Sequence, residues 1–180
     1  SLEMSFKKQP SYQNDSADAF LHLSRSTEQM IRLVNTLLEV TRIDSGRFTL
    51  LKRECSLIEL TERAIVNFSR FADASLTQIT FHPDPDVPPI SADYERIAMV
   101  IDILIDNAIR YSSEEGGVAI AISRKKDHIR WAITDTGIGI PESQQKFIFQ
   151  TFFRADNGLQ YQTEGTGIGL FTAREIIRAS

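Results

Sequence analysis

The spacing of apolar residues changes period several times along the chain, and each change marks an element. Residues 1 to 16 are polar, with Pro10 and a cap-like Asp15-Ser16. Phe20, Leu23, Thr27, Met30, Val34, Leu37 and Thr41 then recur three and four apart, with Ile31 and Leu38 widening the seam. That period predicts a helix that needs a partner helix, stopped at Gly46. Phe48 to Cys55 reads as a strand, and Ser56-x-x-Glu59 is a capping box opening a helix through about Phe71. Gln78 to His82 reads as a second short strand, and Pro83, Pro85, Pro88 and Pro89 predict an extended linker after it.

The strongest helix starts at Asp93 and runs to about Tyr111, because Ile97, Val100, Ile101, Leu104, Ile105 and Ala108 define one wide face. Glu114 to Gly117 turns the chain into a hairpin. Val118, Ile120 and Ile122 alternate on one strand and Ile129, Trp131 and Ile133 on the other, with Lys125 to His128 as the turn. After Thr134 come a glycine-rich turn, a short helix around Glu142 to Phe149 and a polar stretch from Arg154 to Glu164. A second glycine-rich turn opens a final helix that runs to Ala179. Such interleaving predicts a two-layer α/β sandwich, one mixed sheet with helices on one face, preceded by a stem helix. The implied division is a stem segment over 1–46 and a catalytic-type domain over 47–180.

Composition narrows the function. Acidic residues outnumber basic ones 24 to 20 with no Lys/Arg block, which argues against a nucleic-acid partner. Cys55 is the single cysteine, so neither an internal disulfide nor a cysteine metal site is available; it reads as a small buried residue. No stretch approaches the roughly 20 apolar residues that span a bilayer. The expectation is a cytoplasmic module, attached to a membrane only through segments upstream.

Three groups carry chemistry. Asp135-Thr136-Gly137-Ile138-Gly139-Ile140-Pro141 follows a strand. A carboxylate there accepts hydrogen bonds and suits the exocyclic amine of adenine, while glycines let backbone approach a flat base. Alone, it is also what a tight strand-to-helix turn looks like. Gly165-Thr166-Gly167-Ile168-Gly169-Leu170 opens the last helix, whose N-terminus and freed N–H groups suit a polyphosphate. No Gly-Lys-Ser/Thr follows and no βαβ unit surrounds it, so neither a P-loop nor a dinucleotide fold fits. Ile103, Asn107, Arg110 and Tyr111 form a stripe on the strong helix. Asn107 offers a neutral oxygen to Mg²⁺, Arg110 a charge to phosphate and Tyr111 a ring to the base. Each could equally sit on a solvated face.

In this order the three groups resemble the asparagine box and the two glycine boxes of the sensor histidine kinase catalytic domain, within the Bergerat-fold ATPase superfamily. Asp106 to Ser112 looks like the asparagine box, and Ile148 to Arg154 like the phenylalanine box. Leu37 to Gly46 resembles the end of the second stem helix, Asp93 to Ile97 the usual lead-in, and Arg154 to Glu164 the ATP lid. The resemblance covers about residues 17 to 180. It implies that Asp135 binds adenine, Asn107 holds Mg²⁺, and Gly137, Gly139, Gly165, Thr166, Gly167 and Gly169 shape the ATP site. It further implies that Arg110 assists on phosphate, that Tyr111, Ile140 and Leu170 line the base pocket, and that Phe152 and Phe153 anchor the lid. The implied activity is transfer of the γ-phosphoryl group of Mg-ATP to a histidine on a dimeric stem, for relay to a response regulator receiver domain.

The sequence departs from the pattern in three places. Ile103 stands where the family has an asparagine and where the hydrolysing members of the superfamily have a glutamate, which argues against a hydrolase. None of His22, His82 and His128 has the setting of the phosphoacceptor, so that histidine is expected outside this chain, and a fragment alone is not expected to phosphorylate itself. The family continues with two further strands beyond the last helix, so the domain is expected to be truncated at Ser180. The rival readings are a nucleotide-binding adaptor or degenerate kinase, and a gyrase-type ATPase.

Overall fold

The computed structural model describes residues 51–180 apart from Glu114 and 162–164, together with Thr27, Met30, Ile31, Val34 and Leu38 near the N-terminus. Those five are helical, as the seam predicts, and their side chains are exposed. Phe20, Leu23, Leu37, Thr41 and the stop at Gly46 lie outside the described residues.

Strand β1 (Lys52–Cys55) leads into helix α1 (Leu57–Ala74), which Ser56 caps by accepting a hydrogen bond from the Glu59 amide at 3.2 Å. The helix runs three residues beyond the expected end. Strands β2 (Gln78–Pro83) and β3 (Ile90–Asp93) precede α2 (Tyr94–Tyr111). Strands β4 (Gly117–Arg124) and β5 (Ile129–Asp135) form the predicted hairpin, closed by Lys125 N–H to the His128 carbonyl at 2.8 Å. Helices α3 (Glu142–Gln145), α4 (Asp156–Tyr161) and α5 (Gly169–Ala179) complete the chain.

The strands divide into a three-stranded mixed sheet, order β2-β4-β5, and a two-stranded antiparallel pair, β1-β3. The first runs parallel between β2 and β4 and antiparallel between β4 and β5, with Phe81 opposite Ile120 and Ile120 opposite Ile133. Val118, Ile120 and Ile122 are fully buried on one face while Ala119 and Ala121 are exposed on the other, the period of two that the sequence shows. Each such Ile contributes about 1.5–3 kcal/mol by leaving water.

Helix α2 is the central element. Ile97, Ile101, Ile105 and Ala108 join Leu60 and Ala64 of α1 and the β4 isoleucines in the main core. A second cluster, Val100, Ala173 and Ile176 with Met99, Ile103 and Leu104 around it, packs α2 against α5. Two polar side chains of the main core satisfy each other and the backbone: the Trp131 indole N–H donates to Thr61 Oγ1 at 3.0 Å, and Thr61 donates to the Leu57 carbonyl at 2.7 Å.

Three expectations need correction. The proline-rich linker ends in strand β3, which the missing N–H of Pro88 and Pro89 delays but does not prevent, because Cys55 to Lys52 pair with Ile90 to Asp93. The short helix near Glu142 stops at Gln145 and continues as turns, with Phe147 N–H to Gln144 O at 2.9 Å and Gln150 N–H to Phe147 O at 2.8 Å. The polar stretch from Arg154 contains α4, six residues stabilised by tertiary contacts that periodicity cannot show.

Candidate nucleotide site

The site is built where α2 ends against the end of β5. Asp93 caps α2 from its start: one carboxylate oxygen accepts from Arg96 N at 3.3 Å and the other from Leu51 N at 3.0 Å. At the far end the Tyr111 carbonyl accepts from Ile138 N at 3.1 Å, and Ser112 makes an antiparallel bridge with Gly137. A Cβ on Gly137 would collide with that Tyr111 carbonyl and stand 2.7 Å from Asp135 Oδ1. Only glycine lets the helix end and the strand end close on each other here. The Asp135 carboxylate is held at the junction, where its Oδ1 accepts from Gly137 N at 2.9 Å. Gly139 and Ile140 follow on an exposed loop, Gly139 at φ +63°.

Asn107 and Arg110 lie on the last turns of α2, both half-buried. Arg110 Nε is paired with Asp106 at 2.7 Å, so the guanidinium is oriented by its own helix. The Asn107 side chain makes no hydrogen bond to a described residue. One turn earlier, burial pushes the Asp102 carboxyl above its ordinary range, with Arg63 opposing the shift and Asp106 adding to it. Ile103 faces α5: its Cγ2 is 3.2 Å from where a Cβ on Gly169 would stand.

The second glycine turn rests on the phenylalanine box. Gly167 has φ +68°, and a Cβ there would be 2.7 Å from both the Phe152 carbonyl carbon and the Phe153 oxygen. Phe153 packs against Phe147 with ring centroids 5.7 Å apart. Phe152 takes part through its backbone, at φ +64°, while its ring is 68% exposed. Thr166 Oγ1 accepts from Ile168 N at 3.4 Å, and α5 begins at Gly169 with no side chain capping its first turn. N–H groups left free at a helix start are donors of the kind a phosphate accepts from. Leu170 is half-buried beside them. Arg154, just before α4, donates to the Gly165 carbonyl at 3.3 Å.

The stretch from Arg154 to Tyr161, matched to an ATP lid only by resemblance, makes hydrogen bonds that its sequence does not reveal. Asp156 and Gln144 exchange two bonds, at 2.5 and 3.0 Å. Asn157 Nδ2 reaches the carbonyls of Ile138 and Gly139 at 3.2 and 2.9 Å. Gly158 lies against the Tyr111 ring, and the Tyr161 hydroxyl donates to the Ser112 carbonyl at 2.5 Å. Short polar residues around a glycine carry no periodic signal, so only the fold reveals them.

Among the described residues no group of three His, Cys, Asp or Glu could hold a metal. Mg²⁺ needs no such cage: it keeps several waters and takes one or two protein oxygens plus those of a bound triphosphate, a donor set that Asn107 fits. No helix among the described residues is long and apolar enough to cross a membrane.

Residues 92–180 match the family described as "Histidine kinase-, DNA gyrase B-, and HSP90-like ATPase". Sensor histidine kinase WalK of Bacillus subtilis is 32% identical over 168 residues, 92% of this chain and 27% of the relative. Adaptive-response sensory kinase SasA of Synechocystis is 34% identical over 152 residues, 83% of this chain and 39% of the relative. The chain thus spans well under half the length of these relatives. Among solved structures, the catalytic domain of histidine kinase ThkA is 30% identical with a TM-score of 0.63, covering 71% of this chain and 80% of that one. Acinetobacter baumannii histidine kinase AdeS, 24% identical, shares the fold at a TM-score of 0.73 over 97% of this chain and 76% of its own. By these matches this chain belongs to the sensor histidine kinase family and carries its catalytic ATPase domain.

Proposed function

We propose that this chain binds Mg-ATP and transfers its γ-phosphoryl group to a histidine on a helical dimerisation stem, for relay to an aspartate of a response regulator. The observation that carries this reading is the junction of Tyr111, Asp135 and Gly137, which sets a hydrogen-bond acceptor for the base beside the helix bearing Asn107. In this reading Asp135 accepts from the exocyclic amine of adenine, Tyr111, Ile140 and Leu170 flank the base, and the amides around Gly165, Gly167 and Gly169 receive the phosphates. Asn107 holds Mg²⁺, which when bound neutralises charge on the phosphates. Arg110 adds positive charge from its position over Asp106. Residues 1–46 supply part of the stem, through which two copies associate, and 47–180 form the catalytic unit.

Transfer to a histidine needs a positioned phosphate rather than a base that activates water. Ile103 supplies no such base, which favours a kinase over a steady hydrolase. His82 on β2 is exposed and His128 is tied to Asp127 at 2.7 Å in the hairpin turn, while His22 lies outside the described residues. The acceptor is therefore assigned to the stem of the parent protein. A histidine kinase similar in fold, ThkA, has been solved in complex with response regulator protein TrrA, which supports a receiver domain as the next partner.

The test is to incubate the chain with γ-labelled ATP, Mg²⁺ and a separately produced acceptor-bearing stem. Label on the stem is the expected result. ATP binding without transfer would instead support the nucleotide-binding adaptor, the alternative that Ile103 at the metal end of the site favours.

A further inference from the structure

Ile103 stands where the family carries an asparagine, and the structure gives it a definite neighbour. It lies on α2 one turn before Asn107, half-buried, with its Cγ2 3.2 Å from where a Cβ on Gly169 would stand. Among the described residues nothing else outside Gly169's own turn comes within 4 Å of that point. Gly169 is the first residue of α5. The space its missing side chain leaves is filled by a methyl from α2, so the two helices approach closely there.

Helix α5 begins without a cap. No side chain bonds its first turn, and Thr172 N–H, donating to the Ile168 carbonyl at 3.0 Å, is the first amide to reach back. The amides before it have no partner in the helix. Packing is what locates that turn. Ile103 meets Gly169, while Val100, one turn back on α2, clusters with Ala173 and Ile176, one and two turns on in α5. The helices therefore run antiparallel along an apolar seam. Ile103 and Gly169 form its last step before Asn107 on one helix and the second glycine turn on the other.

We propose that Ile103 is a positioning residue for phosphate binding: its γ2 methyl, seated against Gly169, fixes the first turn of α5 so that the free amides there face the phosphates of a bound nucleotide. Where the family has a polar side chain, this chain has an apolar contact that holds the phosphate-binding turn in place. The inference rests on reading that turn as the phosphate site, and adds the residue that sets its position. ATP binding depends on that placement; adenosine, which has no phosphate to place, is indifferent to it.

The experiment titrates ATP, followed by calorimetry, and adenosine, followed by NMR shifts, into the whole chain and its Ile103→Ala, Ile103→Val and Gly169→Ala variants, and into the Ile103→Ala/Gly169→Ala pair. Valine keeps the γ2 methyl; alanine removes it. Ile103→Ala should bind ATP roughly tenfold more weakly, the loss of about one charge-assisted hydrogen bond, with adenosine affinity unchanged. Ile103→Val should match the parent chain. Gly169→Ala presses a methyl against Ile103 and should weaken ATP binding, whereas in the pair that methyl refills the space Ile103 leaves, so the combined loss should be smaller than the product of the two separate losses. Equal losses for ATP and adenosine, a valine variant as weak as the alanine one, or independent effects in the pair overturn the role of Ile103 and leave the nucleotide site standing. A parent chain that binds no ATP overturns the nucleotide reading itself, and this inference with it.

Discussion

Asn157 Nδ2 donates to the carbonyl of Gly139 at 2.9 Å, tying the first turn of α4 to the loop that follows the strand-end carboxylate. The same amide reaches Ile138 O, and Tyr161, at the far end of that helix, bonds to Ser112. Helix α4 is thereby fastened at both ends, to the loop after β5 and to the residue that follows α2. Replacing Asn157 with Ala and Tyr161 with Phe should speed both association and release of a fluorescent ATP analogue, which stopped-flow mixing would read. Unchanged rates would mean that these bonds do not control access.

Asp135→Asn keeps an oxygen able to accept from Gly137 N, so the junction should persist. What changes is the charge and one acceptor. Nucleotide binding should fall at least tenfold, about the cost of a lost charge-assisted hydrogen bond, with little change in thermal melting. Calorimetry and a melting curve on the same sample check both halves.

Gly137→Ala should damage fold and site together. The added methyl meets the Tyr111 carbonyl and the Asp135 carboxylate. Relieving that clash means separating α2 from β5, at about 1–3 kcal/mol of stability, and ATP binding should fall with it. A denaturant titration that matches the parent chain would contradict the geometry of the junction.

Ile103 belongs to the cluster that joins α2 to α5. Truncation to Ala should cost about 1–2 kcal/mol, less than for a fully buried isoleucine because it is half-exposed. Ile103→Glu places a carboxylate where hydrolysing relatives in the superfamily carry one. If position alone makes the water-activating base, phosphate release should become measurable above that of the parent chain.

Burial raises the Asp102 pKa, so the folded state holds its proton at a pH where the unfolded chain has lost it. Between the unfolded and folded pKa values the native state binds more protons, and stability falls as pH rises through that window. Asp102→Asn should therefore melt higher than the parent chain at pH 7, with the difference shrinking as pH approaches the ordinary aspartate range near 4. A pH series of melting curves would show the gap closing toward acid.

Much of this protein can be read from residue order alone. The period of three and four along Ile97 to Ala108 requires a helix with one buried face, and the alternation along Val118 to Ile122 requires a strand buried on one side; both follow from local geometry. The strand-end carboxylate and the two glycine turns are contiguous motifs, so their chemistry is visible without a fold. Tertiary structure decided what depends on distant partners. Strand β3 exists because β1 pairs with it, and α4 because Gln144, Gly139 and Ser112 lie within reach of Asp156, Asn157 and Tyr161. The bridge between Ser112 and Gly137 likewise comes from joining the end of α2 to the loop after β5, 25 residues on in sequence. Periodicity records which face of an element is dry; which group stands opposite a given atom is set only when the chain closes on itself.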